Sequence, residues 1–168
     1  MFVTSETSIL LVEDTLTQAM YMQHALTQAG YKVTVARSGE KALDALKQII
    51  PDVVLTDINM PGINGYELIE AMRKSDATRE IKTILLITAG QLPEVAEILN
   101  STADGIVFKS ASQKTFVGQV KLALAQVQSN TLTIDGAPIK LTNNADAQSK
   151  SNHFLLMAYR QIIDLQAQ

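Results

Sequence analysis

Three acidic residues stand directly after short apolar runs. Glu13 and Asp14 follow SILLV, and Asp57 follows DVVLT. If the fold brings these carboxylates within a few ångströms, each close pair repels by about 4 kcal/mol. A divalent cation relieves that repulsion, and hard carboxylate oxygens with room for water suit magnesium. The pattern predicts a Mg²⁺ site in which Asp57 is also the nucleophile that accepts a phosphoryl group.

Two further polar residues occupy equivalent places. Thr88 ends the run TILLIT, and Lys109 follows GIVF. A lysine ammonium can pair first with a carboxylate and then with phosphoryl oxygens. The threonine hydroxyl can bond a phosphoryl oxygen, and its movement would be the first step of a switch. Taken singly, each residue has an ordinary role as a cap, a turn or a surface charge, but their joint placement favours phosphoryl chemistry.

The elements that must position these residues alternate between strand and helix patterns, which predicts a doubly wound α/β fold with a parallel sheet. In such sheets, sites form at the carboxyl ends of the strands. Five β-α units fill residues 8–128. The predicted strands are Ser8–Val12, Tyr31–Ala36, Asp52–Thr56, Thr83–Thr88 and Gly105–Phe108. The predicted helices run from Asp14 to Ala29, Ser38 to Ile50, Asn64 to Lys74, Pro93 to Asn100 and Ser112 to Gln128.

The remainder of the chain changes character. Residues 129–150 are polar, with an alternating stretch broken at Asp135-Gly136 that predicts a small hairpin. Residues 151–168 return to helical spacing, so we expect a C-terminal helix that begins a coiled coil and supports a homodimer. We expect it to lead into an output domain beyond residue 168.

Composition narrows the classes of function. The 168 residues are 46% hydrophobic and 18% charged, with a net charge of -3 and no cysteine. Cysteine metal sites, thiolate catalysis and disulfides are therefore excluded. The absence of a basic block argues against direct nucleic-acid binding by this chain. The first residues resemble no signal peptide, and no apolar run suggests a membrane span, so we expect a cytoplasmic protein.

The order of these features resembles the response-regulator receiver family of two-component systems: an acidic pair, an aspartate in DINMPGINGYEL, Thr-Ala and then lysine. The resemblance covers residues 8–128 and implies a flavodoxin-like strand order 2-1-3-4-5. It implies Mg²⁺ bound by the side chains of Asp14 and Asp57, the Asn59 carbonyl and, through water, Glu13. It also implies that Asp57 receives its phosphoryl group from a histidine kinase or phosphotransfer protein, with Thr88 and Lys109 contacting that group. Self-phosphorylation and self-dephosphorylation are the expected activities, rather than those of an ordinary enzyme.

Two positions depart from the family pattern. The family often has an aromatic switch residue where this chain has Ile106, which leaves Thr88 as the expected moving part. The family lysine usually precedes a cis proline, whereas here Ser110 follows, so we expect a trans or strained peptide. The predicted surface that a partner reads consists of Val95–Asn100, Ile106 and the helix after Ser112.

Parts of the sequence also resemble two other classes of protein, a DNA-binding regulator and a phosphatase. LTIDGAPIKLT loosely resembles the opening strands of winged-helix DNA-binding domains, but the cations after the receiver are few: Lys140, Lys150 and Arg160. A phosphatase on the same scaffold usually has a second aspartate two residues after the nucleophile, where this chain has Asn59. Asparagine cannot act as that general acid, so we expect no turnover of external phosphoesters.

Overall fold

A single parallel sheet forms the centre of the molecule. The computed structural model describes residues 6–88, 97–98, 101–110, 112–129, 131–134 and 137–140. Five strands are β1 (Ser8–Val12), β2 (Lys32–Ala36), β3 (Val53–Asp57), β4 (Lys82–Ile87) and β5 (Gly105–Phe108). They pair in the order β2-β1-β3-β4-β5, and every pair is parallel. The predicted fold class and strand order are therefore confirmed.

Among the described residues, four helices of eight residues or more follow the strands of the sheet, and local signals explain several of their ends. They are α1 (Leu16–Gln28), α2 (Gly39–Leu46), α3 (Gly65–Lys74) and α4 (Gln113–Ser129). After α1, Gly30 has a φ of 94°, a left-handed conformation that glycine adopts without steric cost. The Ser38 hydroxyl accepts the Lys41 N–H at the start of α2. Of the predicted helix Pro93–Asn100, the described residues Glu97 and Ile98 are helical.

The helices cover both faces of the sheet because the strands are apolar on both faces. Ile9 and Leu11 of β1 point toward a core shared with α1 and α4, while Leu10 and Val12 point toward α2 and α3. Alternate side chains of a strand lie on opposite faces, so one short strand contributes to two cores. This doubly wound packing leaves the carboxyl edge of the sheet as the place where polar residues meet.

Two details differ from the sequence-based expectations. Helix α2 ends at Leu46 instead of the predicted Ile50, and Ile50 is 79% exposed. After Leu46 the chain tightens into a turn, in which the Lys47 N–H donates to the Asp44 carbonyl and the Gln48 N–H to the Ala45 carbonyl, so the helix does not continue to Ile50. Ile106 is buried, because the face of β5 on which it lies packs against an apolar cluster that includes Ile58 and Leu85. It therefore does not belong to an exposed reading surface.

The chain beyond α4 contains a second, smaller pairing. β6 (Thr131–Ile134) and β7 (Ala137–Lys140) run antiparallel, with Ile134 opposite Ala137. The predicted turn residues Asp135 and Gly136, and the predicted helix 151–168, lie outside the described residues. Within the described part of the chain, no helix has the length and apolarity needed to cross a membrane.

Candidate functional site

Three carboxylates meet at the carboxyl edge of the sheet. Glu13 and Asp14 follow β1 and Asp57 ends β3, so the pairing of these two strands brings the residues together. Each offers an oxygen that lies within 4.8 Å of the others. Glu13 is 0% exposed and Asp57 is 7% exposed. Buried like charges at this separation strongly favour a compensating cation.

One such cation belongs to the chain itself. The Lys109 Nζ lies 2.6 Å from Glu13 Oε2 and 3.3 Å from Asp57 Oδ2, and its side chain is 12% exposed. The Lys109 N–H bonds to the Ile87 carbonyl at 2.8 Å, which places the lysine directly beyond the β4–β5 pair. The lysine thus compensates part of the negative charge and leaves an excess of carboxylate at the site.

The uncompensated negative charge and the burial of the site are reflected in the pKa values of Glu13 and Asp57, which are both raised. Burial raises the pKa of Asp57, and the Lys109 ammonium opposes that rise. Burial also raises the pKa of Glu13 against the hydrogen bond from Lys109, and the charge of Asp57 adds to the rise. In both cases desolvation of the charged form outweighs the lysine. A divalent cation at this place would favour the ionised forms of both groups.

Backbone groups hold the carboxylates in defined orientations. The Ile58 N–H donates to Asp57 Oδ1 at 2.9 Å, and the Thr15 N–H donates to Glu13 Oε1 at 3.1 Å. The other oxygen of each carboxylate faces Lys109. Each acid therefore has one oxygen oriented by the backbone and one by the lysine, an arrangement that limits rotation of both side chains before any ligand binds.

The loops around the site are held by contacts that local sequence did not predict. The Arg37 guanidinium donates to the carbonyls of Glu13 and Asp14, tying the β1–α1 loop to the end of β2. Gly65 packs so closely that a Cβ there would overlap the Asp57 carbonyl oxygen. Its N–H donates to the Ile58 carbonyl at 2.9 Å. Glycine at this place allows α3 to begin against the backbone of Asp57.

The β3–α3 loop is anchored at both ends. The Asn64 side chain accepts the Glu67 N–H and the Glu67 side chain accepts the Asn64 N–H, each at 2.9 Å, so the two residues form a capping box at the start of α3. Glu40 of α2 accepts the Ile63 N–H at 3.0 Å. Gly62 has a φ of 76°. These contacts give the loop that contains Asn59 a defined path.

A cleft of about 400 Å³ adjoins the carboxylates on the side of α1 and α4. Thr88 and Lys109 line it together with Gln18 and Ser110, and its apolar part comes from Tyr21, Met22 and Phe116. Thr88 follows β4 and is half-buried. Thr88 and Lys109 therefore line the same cleft at the sheet edge, and a group bound to Asp57 would lie next to this cleft.

The same combination of fold and sequence recurs in known proteins. The family model described as the response regulator receiver domain matches residues 9–121. The chain belongs to this family. Chemotaxis protein CheY of Thermotoga maritima is 32% identical over 102 residues, which cover 60% of this chain and 83% of that protein. The transcriptional regulatory protein AfsQ1 of Streptomyces coelicolor is 28% identical over 147 residues, which cover 83% of this chain and 64% of AfsQ1.

Solved receiver structures agree with the fold. The signal receiver domain of a histidine kinase from Syntrophus aciditrophicus superposes with a TM-score of 0.64 at 31% identity, covering 76% of this chain and 96% of that one. CheY4 of Vibrio cholerae gives a TM-score of 0.64 at 27% identity, with 71% and 99% coverage. Several transcriptional regulators are longer than this receiver, which spans 64% of AfsQ1 and 51% of YkoG of Bacillus subtilis.

The receiver brings most of the predicted site residues together. Glu13, Asp14 and Asp57 form one acidic group, and Lys109 bonds to two of its members. Thr88 lines the adjoining cleft. Asn59 lies in the exposed loop two residues after Asp57, and the role of its carbonyl as a metal ligand stays a prediction. The Lys109–Ser110 peptide is trans, one of the two alternatives expected from the sequence.

Sequence reasoning missed Arg37, Gly65 and Gln18. Arg37 could have been noticed, because it directly follows β2 and so lies at the same sheet edge as the acids. Gly65 stands within the segment DINMPGINGYEL, and nothing local shows that its missing side chain faces the Asp57 backbone. Gln18 is one polar residue on the exposed side of α1, and only the folded chain brings it to Lys109, which follows β5.

Proposed function

We propose that the chain is a Mg²⁺-dependent phosphoryl-accepting switch in which Asp57 receives a phosphoryl group from the phosphohistidine of a histidine kinase or phosphotransfer protein. The observation that carries the proposal is the buried Asp57 carboxylate, which shares one small site with two acids and a lysine. Family membership supports the same chemistry. The state of Asp57 would then be read by an output domain or effector protein.

The residues have distinct parts in the transfer. An oxygen of Asp57 forms a bond to phosphorus as the phosphorus–nitrogen bond of the donor breaks, and the departing imidazole takes up a proton. The chain acts chiefly by positioning and by electrostatic stabilisation, as is general for phosphoryl transfer. Lys109 is close enough to Asp57 to compensate negative charge on the incoming group. The Thr88 hydroxyl would bond a phosphoryl oxygen and move as it does so.

The acidic group fits a magnesium ion. Hard carboxylate oxygens are the ligands that Mg²⁺ prefers, and it commonly retains several waters. Asp14 and Asp57 would bind by side chain, Glu13 through water and Asn59 by its carbonyl. When bound, the ion supplies positive charge that offsets the converging carboxylates and the phosphoryl oxygens. The raised pKa values of Glu13 and Asp57 support this fit, because both acids lack full compensation from the chain itself.

The proposal includes limits on activity and setting. The chain would phosphorylate and dephosphorylate itself without turning over external phosphoesters, because Asn59 stands where a phosphatase needs an acid. It would work in the cytoplasm, where kinase and effector are available. Residues 8–128 would act as the switch, and residues 129–168 would join it to an output domain or to a second copy.

Intact mass spectrometry tests the proposal directly. The protein is incubated with acetyl phosphate, with and without Mg²⁺, as wild type, Asp57→Asn and Asp44→Asn. Asp44 is an exposed aspartate of α2 and serves as the matched control. We expect one phosphoryl addition that requires Mg²⁺, persists in Asp44→Asn and disappears in Asp57→Asn. Addition to Asp57→Asn, or none to the wild type, would refute the proposal.

A further inference from the structure

Lys109 has a third partner besides the two acids. A lysine ammonium carries three N–H donors. Among the described residues, three side-chain oxygens lie around Lys109 Nζ: Glu13 Oε2 at 2.6 Å, Gln18 Oε1 at 2.8 Å and Asp57 Oδ2 at 3.3 Å. Gln18 is an exposed residue of α1, and it reaches the lysine across 91 positions of sequence. Each donor of the ammonium can therefore be directed to a different oxygen.

We propose that Gln18 is a positioning residue for Lys109, and that it holds the ammonium where it can meet a phosphoryl group on Asp57. The inference rests on the proposed function and deepens it. It assigns Gln18 no contact with the phosphoryl group, because among the described residues its side-chain hydrogen bond is to Lys109. Gln18 would affect the reaction only by holding Lys109 Nζ in place.

The need for such a residue follows from the nature of the lysine side chain. Lysine is long and flexible and loses much conformational freedom when it is held in one place. Glu13 and Asp57 attract the ammonium from the side of the metal site. Gln18 contacts it from α1, at the margin of the 400 Å³ cleft that both residues line. Without this third contact, the ammonium could turn toward water in the cleft.

The neutral amide is suited to this task. A carboxylate would compete with the acids for the charge of the lysine, whereas an amide oxygen accepts a hydrogen bond without adding negative charge. When Asp57 is phosphorylated to an acyl phosphate, the N–H that faced its oxygen can turn to a phosphoryl oxygen. The bonds to Glu13 and Gln18 can persist during this change. The lysine would thus be held ready before reaction, which is the basis of electrostatic preorganisation.

Gln18→Met tests the inference, because methionine has a similar length and offers no comparable acceptor. The rate of phosphorylation by acetyl phosphate is measured at saturating Mg²⁺, together with the Mg²⁺ concentration for half-maximal rate. We expect the rate to fall about five- to tenfold, close to the net contribution of one ordinary hydrogen bond, because the contact between Gln18 and Lys109 is exposed to water. The Mg²⁺ dependence should change less than about twofold, since Gln18 is not among the acids that form the metal site.

Two comparisons separate positioning from a general structural effect. Gln18→Glu restores an acceptor of the same length but adds a competing negative charge, so its rate should lie between those of Gln18→Met and wild type. Gln28→Met makes the same substitution at an exposed position near the other end of α1 and should leave the rate unchanged. Thermal unfolding checks that all variants are folded. Equal rates for Gln18→Met and wild type would overturn the inference, as would equal slowing by Gln18→Met and Gln18→Glu.

A double-mutant cycle with Lys109→Met completes the test. If Gln18 acts through Lys109, adding Gln18→Met to Lys109→Met should change the residual rate less than about twofold. A full additional loss would show that Gln18 acts by another route and would overturn the inference. A wild type that accepts no phosphoryl group refutes the proposed function, and the inference with it. A phosphorylated wild type with an unaffected Gln18→Met refutes the inference alone.

Discussion

The ammonium of Lys109 lies closer to Glu13 than to Asp57, at 2.6 Å and 3.3 Å from their nearest carboxylate oxygens. Glu13 is fully buried, so its charge depends on this contact more than the charge of Asp57 does. The lysine is therefore bound mainly by an acid of the proposed metal site, and more loosely by the proposed acceptor. A cation that pairs weakly with the acceptor can transfer to a new anion there at low cost.

Removal of the lysine should expose the electrostatic strain of the site. Lys109→Met leaves three neighbouring carboxylates without their internal cation, and breaking a buried pair by deleting one partner is strongly destabilising. We expect the free energy of unfolding to fall by about 2–4 kcal/mol without metal, and Mg²⁺ to restore part of it. Urea unfolding with and without Mg²⁺ measures both effects. Lys114→Met, at an exposed position of α4, should change stability by less than about 0.5 kcal/mol.

Neutralising Asp57 should have the opposite effect on stability. Asp57→Asn removes a buried charge whose desolvation outweighs its attraction to Lys109. We expect the metal-free variant to be more stable by about 1–2 kcal/mol at pH 7. Stabilisation by Mg²⁺ should shrink at the same time, because one of the proposed ligands of the ion has been lost. Asp44→Asn, at an exposed position, should show neither change; a less stable Asp57→Asn would contradict the prediction.

The stability gained by Asp57→Asn should increase as the pH rises. The pKa of Asp57 is raised in the folded state, so the folded protein binds this proton more tightly than the unfolded chain does. The wild-type residue therefore contributes favourably at low pH, and that contribution is lost as pH rises through the raised pKa. The advantage of Asp57→Asn should be small below the ordinary carboxyl pKa of 3.8 and grow toward neutrality. Unfolding measured from pH 3.5 to 7.5 tests it; a constant difference would refute the explanation.

Gly65 offers a steric test of how α3 supports the site. A methyl group at Gly65 would overlap the Asp57 carbonyl oxygen and lie 3.0 Å from Ile58 Cα, so backbone must move. We expect Gly65→Ala to destabilise by about 1–3 kcal/mol, the range for overpacking, and to slow phosphorylation of Asp57. Gly118→Ala is the matched control, since open space surrounds Gly118 within α4. It should stabilise by about 0.5–1 kcal/mol through helix propensity.

A separate cluster at the opposite edge of the sheet should affect stability alone. Arg73 donates to the carbonyls of Arg79, Ile81 and Thr102, to Thr83 Oγ1 and to Asp104 Oδ2. Its bonds join the end of α3 to the starts of β4 and β5. Arg73→Met should cost about 2–4 kcal/mol, because several partly buried acceptors lose their donor.

Two controls accompany Arg73→Met: a substitution in an exposed ion pair, and the Mg²⁺ dependence of phosphorylation. Arg79→Met removes an exposed pair with Asp76 and should cost less than about 1 kcal/mol. Half-maximal Mg²⁺ for phosphorylation should be the same in Arg73→Met and wild type, because the substitution is far from the acids at the carboxyl edge. A shifted Mg²⁺ dependence would show that the two edges of the sheet are coupled.

The sequence by itself determined the order of the elements and the residues at the strand ends. Apolar runs, caps and the left-handed Gly30 are local signals, because their physics involves neighbours within a few positions. The parallel α/β rule then places Glu13, Asp14, Asp57, Thr88 and Lys109 on one edge without further information. The predicted end of α2 was wrong, because the chain after Leu46 tightens into a turn at Lys47 and Gln48 before it reaches Pro51.

The tertiary structure alone decided how the residues at this edge share their contacts. Lys109 and Glu13 are 96 positions apart, and Lys109 and Gln18 are 91 positions apart. No periodic pattern reports which of several carboxylates a flexible lysine approaches, because that depends on burial and competing charges in three dimensions. The burial of Ile106 and the fit of Gly65 against Asp57 depend likewise on packing between distant elements. The strand-end rule brings the chemical groups together, and packing determines which atoms meet.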